Sequence, residues 1–380
     1  MPLTDLTRRS VLVAAPALVA AKAAPRPTDL DGLVATQMKA GGLPGLSAAV
    51  ARYGRTIYAT AQGLADLASQ RPVTSETMFH IASITKTVTA TAVLQLAQQG
   101  RLQLDASVAP HLDFPLAHPR LPDQPITFRQ LLNHTSGISD AHYYEVDFRR
   151  RGADVDQPLG DFLRQYLARG GQHYSTDGSF GAAPGAAWDY SNVGYGLLGY
   201  LAGRIGGVDM REASRRSIFA PLGMTRTSWT LAGTPQALLA TPYDVDGERL
   251  VPVEPVGFPD WPAGMIRASA TDLIRFVGAA ADRGGPVLGP AFQAQMLAMA
   301  RPPSLPAWLT GQGLGWQESA LNGVPRPNHW GGDPGVFTAA YLDPRNRSAV
   351  VVLTNTTATD AAKAAVKTIA ARLLAFAEAV

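Results

Sequence analysis

Segments typical of β-strands occur near both ends of this chain, whereas the middle is mostly helical in character. Close to the start, residues 43–54 and 55–66 are two strand-like segments that meet at Gly54, which favours an antiparallel hairpin. Close to the end, residues 329–356 contain further strand-like segments separated by tight turns. A single sheet that draws strands from both ends of the chain is the simplest arrangement that buries all of them.

Helical segments surround these strands. A helix is predicted from Thr28 to Ala40, and residues 359–380 form an amphipathic helix with Asp360 at its start. We therefore predict an α+β fold, in which an antiparallel sheet built from both chain ends is flanked by helices and carries an inserted all-α domain. Residues 24–380 form one unit in this prediction, with an α/β part (24–82 and 261–380) and a mostly helical part (83–260).

The first 23 residues are predicted to be an export signal and not a part of the fold. Arg8 and Arg9 precede an apolar run from Val11 to Ala21, and a small-residue cleavage site ends at Ala23, as in a twin-arginine signal peptide. A membrane anchor is the alternative, but the run is much shorter than the ~20 residues that a span needs. We expect a periplasmic or secreted protein with no stable membrane insertion after the signal is cleaved.

Composition excludes several classes of function. The chain has no cysteine, which removes thiol mechanisms, and its seven histidines show no ligand spacing, so we predict no metal and no cofactor. The leader carries three basic residues and one acidic residue, which leaves a net charge of about +1 on the remaining chain and no basic surface for nucleic acid. The basic run at residues 149–151 is expected to be solvated.

Ser83 and Lys86 lie three residues apart at the start of a helix-like stretch. The chain has five lysines and 28 arginines, so a lysine here suggests a role that arginine cannot take. Side chains at i and i+3 share a helix face, and a desolvated lysine can lose its proton and activate a serine hydroxyl. Backbone N–H groups at the helix start would stabilise an oxyanion. The alternative is a helix cap beside a surface lysine.

Tyr190 and Asn192 form a second candidate pair. A phenolate can serve as a general base if positive charge lowers its pKa, and an amide two residues later can hold a substrate carbonyl and the lysine. The alternative for Tyr190 is a half-buried aromatic residue without a chemical role.

A third candidate segment comprises His329, Trp330, Gly331 and Gly332 on a predicted strand. Its glycines would let a substrate backbone approach closely, and one of its N–H groups could complete an oxyanion hole opposite that of Ser83. The alternative is a simple glycine turn.

Taken in this order, the three segments resemble the motifs of the serine β-lactamase and penicillin-binding-protein superfamily, over about residues 28 to 380. The resemblance is strongest to class C β-lactamases, D-Ala-D-Ala peptidases and β-lactamase-like esterases, and implies a β-lactamase/transpeptidase-like fold. The sequence Ser83-Ile84-Thr85-Lys86 matches the first motif and Tyr190-Ser191-Asn192 the second. The resemblance implies that Ser83 is the acylated nucleophile, Lys86 its partner and Tyr190 the base and proton donor, with Asn192 and the third segment binding substrate.

The third motif departs from the lactamase pattern Lys-Thr-Gly. His329-Trp330-Gly331 resembles a His-x-Gly variant, and Trp330-Gly331-Gly332 resembles a Trp-x-Gly variant of the esterases. In either register the lysine that helps to bind a β-lactam carboxylate is absent. We therefore predict an exported serine hydrolase that acts through a Ser83 acyl-enzyme on a small ester, amide or peptide, and that is an esterase or D-peptidase and not an efficient β-lactamase. Its oxyanion would rest on the N–H groups of Ser83 and Gly332.

Other functions are alternatives to this prediction. A transacylase would share the first step, and a penicillin-binding sensor would hold a stable acyl adduct; a purely structural domain leaves Lys86 unexplained. The pattern Gly-x-Gly-x-x-Gly at residues 194–199 follows polar residues and not a strand, so it does not indicate a dinucleotide site. His134 and Ser136, in another family-like segment, are expected to be structural. Substrate choice is assigned to the loops at 139–186 and 230–262.

Overall fold

The structure is a computed structural model that describes residues 27–380, and the predicted export signal at residues 1–23 lies outside the described residues. The helices are α1 (Pro27–Gly41), α2 (Thr85–Gln98), α3 (Phe128–Leu132), α4 (Ala141–Glu145), α5 (Leu159–Leu167), α6 (Asn192–Gly206), α7 (Met210–Ser214), α8 (Ala270–Ala281), α9 (Pro290–Met296) and α10 (Asp360–Ala379). The strands are β1 (Gly45–Arg52), β2 (Arg55–Asp66), β3 (Arg71–Pro72), β4 (Phe79–His80), β5 (Arg150–Arg151), β6 (Thr227–Ser228), β7 (Tyr243–Asp246), β8 (Arg249–Pro252), β9 (Val256–Gly257), β10 (Arg267–Ala268), β11 (Gly311–Gln312), β12 (Gln317–Leu321), β13 (Val324–Asp333), β14 (Val336–Asp343) and β15 (Ser348–Thr354).

The main sheet has eight strands in the order β11-β12-β13-β14-β15-β1-β2-β3, and every pair in it is antiparallel. β1 joins strands from the two ends of the chain, because Val50 is opposite Val350 of β15 on one side and opposite Tyr58 of β2 on the other. The sheet is thus built from both chain ends, and the predicted fold class is confirmed.

Both faces of this sheet are covered by helices. Ala48 and Val50 of β1 pack in one apolar cluster with residues of α1 and α10, whereas Ala49 and Ala51 pack in a second cluster with residues of α8, α2 and α6. Successive side chains of a strand point to opposite faces, so a strand covered on both sides is apolar throughout. This is why β1 shows no alternation of polar and apolar residues.

Residues 83–260, which were predicted to be mostly helical, contain α2 to α7, but they also contain the short strands β5 to β9. β5 pairs with β9, β7 pairs with β8, and β6 joins a small sheet with β4 and β10. Two- to four-residue strands are too short to produce a visible period of two, which explains why an all-α insertion was predicted from the sequence. None of the helices in the described part of the chain combines the length and the apolar character of a transmembrane helix.

Candidate active site

The sequence predicts that Ser83 lies at the start of a helix. In the structure it lies in a tight turn just before that helix. Residues Ala82–Ile84 form one turn of 3₁₀-helix that leads into α2. Ala82 has φ 44°, in the left-handed region that residues other than glycine seldom adopt. Ala82 and Ile84 are buried while Ser83 is partly exposed, so the turn presents the hydroxyl to the cleft. The first N–H groups of a helical turn have no partner within it and can bind an anion.

Lys86 is completely buried one turn further along, on α2. Its Nζ lies 3.3 Å from Ser83 Oγ, 2.7 Å from Asn192 Oδ1 and 2.8 Å from the carbonyl oxygen of Ala263. These contacts fix the amine beside the serine. Burial lowers the pKa of Lys86 to about 7, and the carboxylates of Asp260 and Asp140 offset part of that effect.

Tyr190 is the third member of this group. Its ring centroid lies 4.7 Å from Lys86 Nζ, and its phenol interacts with the side chain of Ser83. Burial raises the pKa of the Tyr190 phenol above its ordinary value, and the interaction with Ser83 opposes this only in part. The shift is opposite to the lowered pKa that the sequence argument required for a phenolate base, because the desolvation of a phenolate cannot be read from the sequence. Tyr190 is therefore a neutral phenol in this site.

The loop that holds Tyr190 and Asn192 is anchored by Asp140, which sequence reasoning missed. One carboxylate oxygen of Asp140 accepts hydrogen bonds from Ser191 Oγ (2.8 Å) and the N–H of Val193 (3.2 Å), and the other accepts from the N–H of Asn192. These donors lie at the start of α6, where backbone N–H groups lack helical partners. Asp140 thus fixes the segment that positions two predicted site residues.

His134 is also closer to the site than expected. Its ring stacks on that of Tyr190, with centroids 4.5 Å apart, and its Nδ1 accepts a hydrogen bond from the N–H of Ser191 (3.1 Å). Burial, with a contribution from Lys86, lowers the pKa of His134 well below its usual value, so the ring is neutral. His134 supports the tyrosine, in agreement with a structural role.

Replacing Asp140 by Asn should destabilise the protein by about 1–3 kcal/mol, because an amide offers one acceptor oxygen and directs its NH₂ group at backbone donors. The free energy of unfolding should be measured with urea at pH 8, above the pKa of about 6 to which burial raises this carboxyl. Asp123→Asn at an exposed loop position is the matched control and should change little. Equal stability of Asp140→Asn and wild type would show that Asp140 does not anchor the loop.

β13 brings the third predicted segment to the nucleophile. β12 pairs with β13 only as far as Asn328, and β14 pairs with Asn328 to Asp333, so within the described chain the last five residues of β13 have one strand neighbour. A Cβ on Gly331 would lie 2.2 Å from the carbonyl oxygen of Ile81, so glycine is needed for the strand to approach the turn before Ser83. The close approach predicted for a substrate backbone is thus made by the protein's own chain. Gly332 borders the cleft, and a Cβ there would meet open space.

His329 is buried beneath the cleft. Its ring centroid lies 6.5 Å from that of Tyr190, and its Nδ1 is 2.8 Å from the carbonyl oxygen of Trp330. Burial, reinforced by Lys86, lowers the pKa of His329 to about 3, so this histidine is neutral. It packs behind the tyrosine and does not border the cleft.

Trp330 requires a correction, since the structure does not place it at the substrate site. Its ring stacks on Trp308 (centroids 5.5 Å apart), its indole N–H donates to Tyr341 Oη (2.8 Å), and Lys367 Nζ of α10 lies 4.6 Å from its centroid. Neighbouring side chains of a strand face opposite sides of the sheet, so Trp330 points toward α10 when His329 faces the site.

A cleft of about 500 Å³ opens above Ser83. Tyr144 of α4 stands at its rim, 69% exposed, and its Oη accepts a hydrogen bond from Asn192 Nδ2 (2.9 Å). Arg149 also lines the cleft, where its guanidinium pairs with Asp147, whereas Arg150 and Arg151 are exposed as expected. The group of Ser83, Lys86, Tyr190 and Asn192 therefore lines or underlies one cavity large enough for a small molecule.

Comparison with known proteins gives a consistent family assignment. A family model described as Beta-lactamase matches residues 30–374. Esterase EstB from Burkholderia gladioli is 31% identical over 374 residues, which covers 86% of this chain and 90% of the esterase. A D-amino acid amidase from Ochrobactrum anthropi SV3, solved with L-phenylalanine amide, superposes with a TM-score of 0.73 and 25% identity over 92% of this chain and 99% of the amidase. A class C beta-lactamase gives a TM-score of 0.69 at 24% identity over 91% of this chain and 94% of the lactamase, which shows the shared fold.

The match of a family model to most of the chain agrees with the resemblance that the three motifs suggested. The nearly full-length match to an esterase supports a serine hydrolase. The chain belongs to the beta-lactamase family and is a serine hydrolase of that family.

Proposed function

We propose that this protein is an exported hydrolase that cleaves esters or small amides through an acyl-enzyme on Ser83. The observation that supports this most strongly is the completely buried amine of Lys86, which lies 3.3 Å from Ser83 Oγ and has its pKa lowered to about 7. A similar esterase and a similar D-amino acid amidase support the choice of substrate class. Export is proposed from the twin-arginine pattern at Arg8 and Arg9.

The contacts of Lys86 determine the direction of proton transfer in this proposal. Loss of one proton leaves an amine with two N–H groups and one lone pair. Asn192 Oδ1 and the carbonyl oxygen of Ala263, the two nearest acceptors, take the N–H groups. The lone pair is then directed at Ser83 Oγ, and Lys86 accepts the hydroxyl proton as Ser83 attacks the substrate carbonyl.

Tyr190 acts as a proton carrier in the same proposal. Its neutral phenol interacts with the side chain of Ser83, and its ring lies against Lys86, so it can donate its proton to the leaving alcohol or amine and recover one from the lysine. Water then attacks the acyl-enzyme and gives one proton to the neutral amine of Lys86. The bond between the acyl carbon and Ser83 Oγ breaks, and Lys86 returns the proton to Ser83 Oγ as the acid leaves. The N–H groups of Ser83 and Gly332 are assigned to the oxyanion, since the turn and the singly paired end of β13 lie side by side.

A substrate panel tests this function. We expect short nitrophenyl esters and D-amino-acid amides to be turned over with kcat/KM at least about 100-fold above nitrocefin, because no lysine of β13 offers its charge to a β-lactam carboxylate. Steady-state rates for esters, amides, D-Ala-D-Ala peptides and nitrocefin measure this order. Nitrocefin as the best substrate would contradict the proposal, and so would a stable acyl adduct without product release, which would indicate a sensor.

A further inference from the structure

Asp333, the last residue of β13, has a carboxylate that the protein leaves without a partner. The side chain borders the cleft and is only 13% exposed. Among residues 27–380, no group donates a hydrogen bond to it, and the one basic atom within 4.0 Å is Nδ1 of His80. Burial of a carboxylate without hydrogen bonds or a cation is costly, so such groups are normally paired in folded proteins.

The basic groups around Asp333 are engaged elsewhere. His80 on β4 has its Nε2 2.6 Å from the carbonyl oxygen of Gly264, and burial lowers the pKa of His80 to about 3, so its ring is neutral. Arg149 pairs with the carboxylate of Asp147.

The second guanidinium near Asp333, that of Arg267 on β10, is completely buried and donates to the backbone carbonyls of Met265 and Val256. These two arginines stabilise the Asp333 carboxylate only at a distance, and Asp260 and Asp147 oppose them. Burial therefore raises the pKa of Asp333 to about 7, as expected for a carboxylate that lacks a counter-charge.

The position of Asp333 relates it to the reacting serine. Gly331 contacts the backbone of Ile81, two residues before Ser83, and Asp333 lies two residues further along the same strand. Two residues of a strand span about 7 Å, so a group bound by Asp333 would lie within a short aliphatic chain of the reacting carbonyl.

We propose that Asp333 determines specificity by binding a primary ammonium group of the substrate, so that the preferred substrates are esters or amides that carry an amine. This inference rests on the proposed hydrolase function. An ammonium ion in the cleft would supply the hydrogen-bond donors and the positive charge that the residues around this carboxylate do not provide.

A charge series of three acyl esters tests this proposal at pH 8. The nitrophenyl esters of 6-aminohexanoate, heptanoate and hexanedioate have similar length and carry a positive charge, no charge and a negative charge. We expect kcat/KM of the wild-type protein to be about tenfold higher for the ammonium ester than for the neutral ester, and lowest for the carboxylate ester. In Asp333→Asn the ratio of ammonium to neutral ester should fall close to one.

Glu145→Gln is the matched control. Glu145 also lines the cleft, but its side chain is 73% exposed and pairs with His142, so its neutralisation should leave the ratio nearly unchanged. Inhibition of heptanoate ester hydrolysis in the wild type by hexylamine and by 1-hexanol provides a second readout that needs no variant. The amine should inhibit about tenfold more strongly.

The outcomes separate the two proposals. Suppose that the wild type hydrolyses the heptanoate ester. The ammonium site is then wrong if the wild type shows no preference for the charged ester, if Asp333→Asn leaves the ratio unchanged, or if the amine and the alcohol inhibit equally. Each of these results would leave the hydrolase function standing. Failure of the wild type to hydrolyse any ester of the series or of the substrate panel would overturn the hydrolase function and this inference with it.

Discussion

Replacing Ser83 by Ala should lower kcat/KM for the best ester by about 10⁴-fold or more, because the acyl-enzyme route has no other nucleophile. Residual hydrolysis would come only from binding and from the N–H groups of the turn. Steady-state kinetics measure the loss. Intact-mass analysis of the wild type with a slow nitrophenyl ester should show one acyl group, which peptide mapping should locate on Ser83, and the variant should show none.

Ser136→Ala is the matched control for this experiment. Ser136 is a buried serine whose hydroxyl accepts a hydrogen bond from the N–H of Ile138, and it does not line the cleft. Its replacement should leave kcat/KM within about threefold of wild type, as is usual for changes away from the reacting atoms. If Ser83→Ala retains full activity, or if the acyl group maps to another residue, the mechanism proposed for Ser83 is wrong.

Replacing Lys86 by Arg should lower kcat/KM by about 10³-fold, since general base catalysis contributes 10²–10⁴-fold and a guanidinium does not give up its proton. The pH dependence of kcat/KM in the wild type is the reference for this variant. Burial lowers the pKa of Lys86 to about 7, and the neutral amine is the active form, so kcat/KM should fall about tenfold per pH unit below 7 and level off above it. The arginine variant should lack this ascending limb.

Lys363→Arg makes the same substitution where no proton is exchanged. Lys363 is on the surface of α10 and pairs with Asp360 (3.3 Å), so neither the rate nor the pH profile should change. Lys86→Met should be as slow as Lys86→Arg, because both lack a titratable amine. A Lys86→Arg protein that keeps a tenth of the activity and the ascending limb would assign the base to another group.

The elements predicted correctly from the sequence are long and periodic. The hairpin around Gly54 and the C-terminal helix α10 extend over enough residues for periods of 2 and 3.6 to be visible. The spacing of Ser83 and Lys86 also survives in the structure, since i and i+3 remain neighbours when the first turn is 3₁₀ and not α. The sequence pattern was therefore sufficient for features formed by residues that are close together in the chain.

The residues that sequence reasoning missed lie in irregular segments. Asp140 and Asp260 are carboxylates in loops without period, and their importance comes from burial beside Lys86, a property of the tertiary structure. The pKa of Tyr190 depends on the same burial. The proposed role of Asp333 likewise rests on which neighbours are already engaged, and no sequence spacing shows that.

The third segment, residues 329–332, shows a different limit of prediction from the sequence. Motif matching left two registers open and assigned His329, Trp330, Gly331 and Gly332 together to substrate binding. Strand alternation requires that His329 and Trp330 face opposite sides, but the sequence does not say which side faces the serine. The requirement for glycine at position 331 comes from the backbone of Ile81, which is distant in sequence.

The pairing of β1 with β15 has a consequence for biosynthesis. A nascent chain that has not yet reached Ser348 lacks one neighbour of β1, and one that ends before His329 also lacks the strand end that flanks the nucleophile turn. Contacts between residues so distant in sequence form late, because closing a long loop costs entropy that only completed pairing repays. Incomplete polypeptides on the ribosome should therefore be inert toward cellular esters, and hydrolytic competence should arise only once synthesis has finished.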